Sequence, residues 1–173
     1  MNQTTFKVIY LVVSGAATTR FMPDLIRELT HFKLPIYTFM TEGASRLISP
    51  WRLAEQPGHR LVESYFDPIL SGQREPGLTL VAPATFNTVN KISQGIADTL
   101  PLSLVAEAIG AGWPVIVVPS LNAHLAQHPR FNTSLDTLRR WGVTVCGPQQ
   151  DGEMMQMASV ETVIAQVQSI MKP

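Results

Sequence analysis

Short, continuous apolar runs recur along the chain, and most of them are bounded by glycine or proline. Such runs are typical of strands that are buried on both faces of a parallel sheet, because neither face has to meet solvent. The predicted strands are residues 7–13, 34–40, 78–82, 114–118 and 143–146. Their length and bounds favour a parallel sheet over an antiparallel one.

Apolar residues at helical spacing fill the stretches between these strands. The predicted helices begin at Pro23, cover residues 102–109, place Leu135, Leu138 and Trp141 on one face, and end with residues 160–170. Strands that alternate with helices predict an α/β fold, a Rossmann-like open parallel sheet with helices on both faces. The pattern leaves open whether the strand order is flavodoxin-like. We expect residues 1–173 to form a single domain in which residues 55–77 are a long loop.

Charge is scarce and balanced along this chain. Charged residues make up 15% of the sequence, against roughly 25% in an average soluble domain. This favours a homo-oligomer in which part of the surface is covered. Thirteen Lys and Arg residues balance thirteen Asp and Glu residues, and no basic cluster stands out. We therefore expect neither a nucleic acid nor an anionic membrane as a partner.

Three further features of the sequence bear on the compartment of the protein. Residues 7–13 resemble a signal peptide, but the apolar run is short and continues into the small residues 14–17, as a buried first strand does. No run approaches the roughly eighteen apolar residues of a membrane span. The one cysteine, Cys146, excludes an internal disulfide and a cysteine-based metal site. A cytoplasmic protein is the prediction.

Three predicted strands end in loops rich in small and hydroxyl residues, namely residues 14–19, 83–88 and 119–122. In open α/β sheets, ligands bind in the crevice at the carboxyl ends of the strands. The first loop holds a single glycine, Gly15, so it is no dinucleotide fingerprint, and by itself it is better explained as a tight turn. In the loop of residues 83–88, Asn87 and Thr88 are good helix N-caps, and Thr85 adds a hydroxyl group just after the strand. These groups could simply cap a helix, or they could hold a phosphate against its N-terminus.

Residues 81–100, VAPATFNTVNKISQGIADTL, resemble the APATANT…K…NGIADNL signature of the homo-oligomeric flavin-containing cysteine decarboxylases. Residues 119–129, PSLNAHLAQHP, are similar to the PAMNxxMWxNP signature of the same superfamily. Residues 132–145 and 41–47 resemble its other conserved segments. The resemblance covers residues 6–148 and points to a flavoprotein branch of the superfamily distinct from the decarboxylases.

The resemblance implies FMN bound between subunits of a trimer or a multiple of trimers. It implies these cofactor-binding residues: Gly15, Ala16, Ala17, Thr41, Ser45, Thr85, Phe86, Asn87, Thr88 and Pro119. It also implies a small carboxylate or thiol substrate that the flavin oxidises. Asn122 matches the family asparagine that holds the substrate carboxylate.

The chain departs from the family pattern at several catalytic positions. Ile69 stands where the family has a histidine base, and Leu121 replaces the methionine of the second signature. The family flap with its cysteine is also missing, because the chain is expected to run from Pro148 to its last helix. Cys146 is then a buried structural thiol. Three methionines, Met154, Met155 and Met157, are expected to pack on that helix or to cover the cofactor.

Histidines near Asn122 provide the remaining candidates for acid–base chemistry. His124 could be a relocated general base, or it could be a surface or interface histidine. His124 and His128 have the spacing of a metal-binding pair, but no glutamate lies between them and Pro129 ends the helix. No metal site is predicted. Two functions remain open: an FMN-dependent oxidative decarboxylase or oxidoreductase with Asn122 and His124 as its catalytic residues, and a flavin-binding protein without decarboxylase activity.

Overall fold

The computed structural model describes residues 6–70, 74–151 and 154–172. Its strands are β1 Val8–Val13, β2 Ile36–Met40, β3 Arg60–Leu61, β4 Gly77–Ala84, β5 Val115–Pro119, β6 Leu121–Asn122, β7 Thr144–Val145, β8 Gln149–Asp151 and β9 Met154–Gln156. Its α-helices are α1 Met22–Leu29, α2 Glu42–Ser45, α3 Pro50–Ala54, α4 Phe86–Ser93, α5 Leu100–Gly110, α6 Ala123–Gln127, α7 Pro129–Arg140 and α8 Val160–Met171. Short 3-10 helices cover Ala17–Phe21, Thr30–Phe32 and Pro68–Leu70.

Six strands form one parallel sheet in the order β3-β2-β1-β4-β5-β7. Counted along the chain, this is the 3-2-1-4-5-6 order of Rossmann folds. Without the two-residue edge strand β3, the same sheet has the flavodoxin order 2-1-3-4-5, so the open question about strand order depends on that short strand. In both descriptions the order reverses between β1 and β4. A ligand crevice is therefore expected at the carboxyl ends of these two strands.

Helices cover both faces of the sheet, as predicted. On β1, Tyr10 and Val12 pack into the apolar cluster that also contains side chains of α4, α5 and α7. The alternating residues Ile9, Leu11 and Val13 pack into the cluster formed with α1 and α8. Every residue of β1 and β4 is buried, which explains why these strands are continuously apolar in the sequence.

The third predicted strand is longer than its apolar run. β4 extends to Ala84 through a cis Ala82–Pro83 peptide, and an irregularity in its pairing with β5 lies between Val81 and Ala84. Ala84 pairs with Pro119, the last residue of β5. The loop that was predicted to begin at residue 83 therefore begins at Thr85.

The segment between Pro148 and the last helix does not run directly into that helix, as the sequence analysis predicted. It forms a β-hairpin of β8 and β9, and β9 pairs antiparallel with β6, so that Leu121 faces Met155 and Asn122 faces Met154. Met154 and Met155 therefore lie in a strand instead of a helix, and Met155 packs against the apolar cluster of α4, α5 and α7 and not on the final helix, as had been predicted. Met157 is buried just before α8. The hairpin could not be found from helical spacing because its pairing partner is more than 30 residues away.

The long loop between β2 and β4 contains β3 and the 3-10 helix Pro68–Leu70, and its residues 71–73 lie outside the described part of the chain. Cys146 directly follows β7 and is buried, as predicted. Within the described ranges, no helix is long and apolar enough to cross a membrane.

Candidate functional site

A buried serine joins the ends of β1 and β4 at the point where the strand order reverses. The Ser14 hydroxyl donates to the carbonyl of Pro83 at 2.7 Å and accepts the backbone N–H of Thr85 at 2.8 Å. The backbone N–H of Ser14 donates to the same Pro83 carbonyl at 3.1 Å. Ser14 thus fixes the position at which the chain leaves β4. Sequence reasoning placed Ser14 in a loop and gave it no role, because both of its partners lie some 70 residues away.

The turn after Ser14 is held by its own hydroxyl groups. The Thr19 hydroxyl donates to the Ser14 carbonyl at 3.1 Å and accepts the N–H of Ala16 at 3.2 Å. The Thr18 hydroxyl donates to the Ser120 hydroxyl at 2.8 Å, which ties this turn to the end of β5. Ala17 is exposed and opens the following 3-10 helix. The structure supports the tight-turn interpretation of this loop, which leaves Ala16 and Ala17 as small residues beside the crevice.

Residue 15 has to be glycine for a reason that the sequence did not reveal. A Cβ at Gly15 would overlap the carbonyl group of Gly43 and lie 2.9 Å from the amide nitrogen of Ala44. Any side chain at residue 15 would therefore push the first loop away from α2. This close approach places the turn after β1 directly against the loop after β2.

The loop after β2 carries the other two predicted contacts. The N–H of Thr41 donates to the Val13 carbonyl at 2.9 Å, and the Thr41 hydroxyl accepts the N–H of Ala44 at 3.3 Å as the N-cap of α2. The Ser45 hydroxyl donates back to the Thr41 carbonyl at 3.3 Å. Both side chains are half-buried. A cavity of about 200 Å³ lies beside Ser45 and continues below α5.

The N-terminus of α4 lies at the carboxyl end of β4 and is capped by a hydroxyl group. Thr85 is its N-cap: its hydroxyl accepts the N–H of Thr88 at 3.3 Å and lies 3.0 Å from the Thr88 hydroxyl. A single cap leaves the other N–H groups of the first turn without carbonyl partners in the helix, and the helix dipole adds partial positive charge there. Asn87 is exposed on this turn and Phe86 is half-buried. These donors fit a phosphate group, and Phe86 offers an apolar surface beside it.

Phe86 lies in a small aromatic cluster with the start of α7. Its ring stacks on the buried ring of Phe131, with centroids 6.3 Å apart and planes at 30°. His128 approaches edge-on, with centroids 5.4 Å apart and planes at 74°. The helix that carries the predicted phosphate residues is thereby positioned by α7.

Residues 119–129, which carry the second signature, follow the end of β5. Asn122 is exposed and is the N-cap of α6, because its Oδ1 accepts the N–H of Leu125 at 2.9 Å. Because Oδ1 is used in this bond, the NH₂ group of the Asn122 side chain is the part that is left to contact a ligand. An amide NH₂ group can donate hydrogen bonds to a carboxylate. His124 is exposed on α6, one residue beyond the start of that helix. Pro119 is buried within the sheet.

Two other residues of the sequence analysis, Ile69 and His128, are not among the predicted flavin contacts. Ile69 is half-buried in the 3-10 helix Pro68–Leu70 and packs against the apolar cluster of α4, α5 and α7. Residue 69 therefore offers no ionisable group to this part of the chain. His128 uses Nδ1 to accept the N–H of Arg130 at 3.1 Å, so this nitrogen is not free to bind a metal.

Known proteins are similar to this chain in sequence and in fold. The family model for Flavoprotein matches residues 1–172. The bifunctional coenzyme A biosynthesis protein CoaBC of Thermococcus kodakarensis is 29% identical over 167 residues, which are 93% of this chain and 41% of that protein. The phosphopantothenoylcysteine decarboxylase of Mus musculus is 28% identical over 183 residues, which cover 96% of this chain and 87% of the mouse protein. The chain thus spans about two fifths of the bifunctional relative.

Solved structures share the fold at lower sequence identity. A mutant PPC decarboxylase complexed with pantothenoylaminoethenethiol superposes with a TM-score of 0.79 at 19% identity and covers 95% of this chain and 97% of that one. The FMN-dependent cysteine decarboxylase SpaF gives a TM-score of 0.76 at 22% identity, over 94% and 95% of the two chains. The match of the family model over nearly the whole sequence, together with this shared fold, shows that the chain belongs to the Flavoprotein family.

Proposed function

We propose that this chain binds FMN in the crevice between β1 and β4 and oxidises a small carboxylate or thiol substrate there. The observation that carries the proposal is the N-terminus of α4, which Ser14 fixes to the end of β1 and Thr85 caps. It offers one compact anion site at the switch point of the sheet. A mononucleotide with one phosphate matches such a site better than a dinucleotide does, because the chain has no GxGxxG turn to hold a pyrophosphate.

Each predicted FMN contact has a part in this proposal. The first turn of α4, with Thr85, Asn87 and Thr88, holds the phosphate, and Phe86 packs on the flavin. The remaining predicted contacts are the small or hydroxyl residues of the crevice, Gly15, Ala16, Ala17, Thr41 and Ser45, together with Pro119, which is buried at the end of β5. The sheet brings their loops to one edge, since the loops after β1, β2, β4 and β5 are joined by direct hydrogen bonds.

A bound flavin supplies a two-electron acceptor for substrate oxidation. Asn122 positions the substrate through its NH₂ group, which donates to a carboxylate oxygen. His124 is the nearest candidate base in the sequence, and the structure leaves its ring exposed on α6. SpaF is an FMN-dependent cysteine decarboxylase, and PPC decarboxylase was crystallised with a thiol-bearing pantothenoyl ligand, which supports a substrate with a thiol or a carboxylate. Ile69 at the family base position favours the alternative, a flavin-binding protein without decarboxylase activity.

The cofactor proposal is tested on purified protein. We expect a yellow protein that releases FMN on heating, identified by chromatography against FAD and riboflavin. Thr85→Val keeps the side-chain shape but removes the cap and the hydroxyl, and it should weaken FMN binding about tenfold. Thr99→Val is the matched control, because Thr99 precedes α5 but makes no side-chain cap bond there. A colourless protein that takes up no added FMN would refute the proposal.

The reaction is tested with cysteine-ended peptides and small thiol carboxylates. Substrate addition should reduce the flavin, and carbon dioxide release separates decarboxylation from simple oxidation. Asn122→Asp retains a helix-capping oxygen but replaces the NH₂ donor by negative charge, so it should abolish carboxylate binding and leave FMN bound. His124→Ala should lower turnover and flatten its pH profile if His124 is the base. Flavin that stays oxidised with every substrate supports the non-catalytic alternative.

Assembly into a trimer or a multiple of trimers is part of the same proposal. Helix α5 is apolar on nearly every side, and a helix of this kind is normally buried on every side. Here its outer face borders an apolar groove of about 430 Å³ next to the exposed side chains of Ile96 and Trp141. Further exposed apolar side chains lie in the segment between β2 and β4: Leu47, Trp51, Tyr65 and Phe66. Subunit contacts would cover these exposed apolar surfaces.

A cytoplasmic location is also part of the proposal. The single cysteine, Cys146, is buried and unpaired, which fits a reducing compartment.

A further inference from the structure

A cavity of about 380 Å³ runs along α5, from Leu100 at the start of the helix to Ala111 just beyond its end. This volume lies within the range of sites that hold small molecules, which begins at about 300 Å³. Arg74 and Trp113 line the cavity and precede the amino ends of β4 and β5. The candidate flavin crevice lies at the carboxyl ends of β1 and β4, so the proposed function makes no use of these two side chains.

Arg74 places a buried positive charge in the wall of this cavity. Its side chain is only 10% exposed. The guanidinium carbon lies 5.7 Å from the ring centroid of Tyr10 and 5.7 Å from that of Trp113. Contacts of this kind with aromatic rings offset part of the cost of removing a cation from water. They do not provide acceptors for the five N–H groups of the guanidinium, which still need oxygen partners.

Glu107 is the partner of this buried cation. Nη2 of Arg74 donates to Oε2 of Glu107, and within the described ranges this is the one hydrogen bond that the guanidinium makes. A guanidinium can hold a carboxylate through two N–H groups at once, so Arg74 has donors left for a second acid group. The side chain of Glu107 is 66% exposed and can turn towards solvent, whereas Arg74 is held in the wall.

The cavity therefore presents a positive and a negative group side by side. Among the described residues, Arg74 and Glu107 are the charged residues that line it. Glu107 lies in the last turn of α5, where the helix dipole adds partial negative charge. A carboxylate fits the side of Arg74, and an ammonium group fits the side of Glu107 and the carboxyl end of the helix.

The rest of the lining suits an apolar group. Leu100 and Leu104 of α5 form one part of it, and the indole ring of Trp113 forms another. The Ser103 hydroxyl donates to the Ala97 carbonyl at 3.1 Å, so this donor is already used within the protein. A ligand that carries both charges at one end and an apolar body at the other end matches this distribution.

Stability alone is a poor reason for this arrangement. A buried guanidinium is costly, and apolar side chains of similar volume are often as good or better for stability. Both members of the pair also border the cavity instead of being enclosed by protein. A ligand with a carboxylate alone would bring negative charge next to Glu107, and an amine alone would lie next to Arg74. A zwitterion avoids both repulsions.

We propose that this cavity binds a free α-amino acid with an apolar side chain. Its carboxylate accepts hydrogen bonds from Arg74, its ammonium group donates to Glu107, and its side chain packs against Leu104 and Trp113. The site lies outside the flavin crevice, and the proposal does not depend on flavin binding.

The test is isothermal titration calorimetry of the assembled protein with L-phenylalanine and L-leucine. At least one of them should bind with a Kd of about 1 mM or lower. N-acetyl-L-phenylalanine lacks the ammonium group and L-phenylalaninamide lacks the carboxylate, so each should bind about tenfold more weakly than L-phenylalanine. The assembled protein is required because a subunit contact at Tyr65 could cover the rim of the cavity. No binding of either amino acid at about 20 mM would overturn the proposal.

Glu107→Gln changes an exposed position and keeps an acceptor oxygen for Arg74. It should weaken the binding of L-phenylalanine about fivefold and leave that of N-acetyl-L-phenylalanine equal or tighter, because only the first ligand has an ammonium group. Arg74→Gln should weaken both ligands. Asp136→Asn is the matched control, because Asp136 is an exposed carboxylate that pairs with Arg139 on α7. Equal affinity of the parent and Glu107→Gln for L-phenylalanine would refute the assigned contact.

NMR of the tryptophan indole N–H groups locates the ligand even if Arg74→Gln fails to fold. Trp113→Phe identifies the signal of Trp113, which should shift on addition of L-phenylalanine. The signal of Trp51, which is exposed on α3 and does not line the cavity, should stay in place. A ligand that shifts the signal of Trp51 and leaves that of Trp113 unchanged binds elsewhere, and this result would overturn the proposal.

Discussion

Gly15→Ala tests whether the candidate site depends on the close approach of the loops after β1 and β2. The added methyl group would overlap the carbonyl of Gly43 and lie 2.9 Å from the nitrogen of Ala44. Both are backbone atoms, which cannot rotate away as the end of a side chain can. Gly15 does not have a positive φ, so the cost comes from this overlap rather than from backbone conformation.

The size of the effect follows from the cost of overpacking. Inserting a methyl group into a tightly packed site costs about 1–3 kcal/mol, and a backbone obstacle favours the upper half of that range. For a chain of this length, about 2 kcal/mol lowers the Tm by roughly 4–8 °C. FMN binding should weaken as well, because the displaced turn includes Ser14, which fixes the N–H of Thr85.

Gly43→Ala is the matched control on the opposite side of the same contact. A Cβ at Gly43 would lie 3.7 Å from its nearest neighbour, which is an ordinary packing distance. Gly43 lies in α2, where alanine is the better helix former, so the Tm should stay constant or rise slightly. Thermal unfolding followed by circular dichroism and FMN titration measure both effects. A Gly15→Ala protein as stable as its parent, or equal losses in the two variants, would refute the reasoning.

Three further predictions follow from burial. The His59 ring bonds to the Thr38 hydroxyl at 2.8 Å and to the Leu53 carbonyl at 2.7 Å, and burial lowers its pKa below the ordinary value. The unfolded chain therefore takes up this proton first, so the stability present above the ordinary histidine pKa is lost as the pH falls below it. His59→Gln should flatten this dependence of Tm on pH, whereas His31→Gln should not, and equal slopes would contradict the assignment. Burial also raises the pKa of the Cys146 thiol, so a thiol reagent should label it only after denaturation, and rapid labelling of the folded protein would be inconsistent with a structural thiol. Trp141→Glu should shift the protein to smaller species in light scattering, whereas Asn132→Glu on the exposed side of α7 should not, and an unchanged mass for Trp141→Glu would exclude this surface from the interface.

Local signals in the sequence predicted most strands well and the helix cap of the site only in part. Continuous apolar runs gave five of the six strands of the parallel sheet, since burial on both faces leaves no other pattern. Asn87 and Thr88 were predicted as helix caps from residue type, but the N-cap of α4 is Thr85, whose hydroxyl accepts the N–H of Thr88. Residue type thus indicates that a cap lies in this segment, whereas the capping residue depends on where β4 ends. The edge strand β3 was missed because two residues are too few to form a pattern.

Local sequence signals could not predict the contacts between residues that are far apart in the chain. The hairpin of β8 and β9 replaced the predicted direct entry into the last helix, because its pairing with β6 supplies the hydrogen bonds that local propensity does not. Asn122 was predicted as a ligand contact from the family signature, yet its role as the cap of α6 emerged only from the structure. His124 remains a prediction as a base, since exposure alone does not distinguish a catalytic ring from a surface one.

The sequence by itself determined the α/β class and the parallel sheet, and it predicted the edge of the sheet at which the candidate site lies. These follow from hydrophobic periodicity and from the placement of small and hydroxyl residues after strands, which are properties of short segments. Only the tertiary structure decided the strand order, the role of Ser14 between β1 and β4, and the need for glycine at Gly15 against Gly43. Each of these joins residues that are tens of positions apart, and the free energy of such contacts depends on a geometry that no single segment contains.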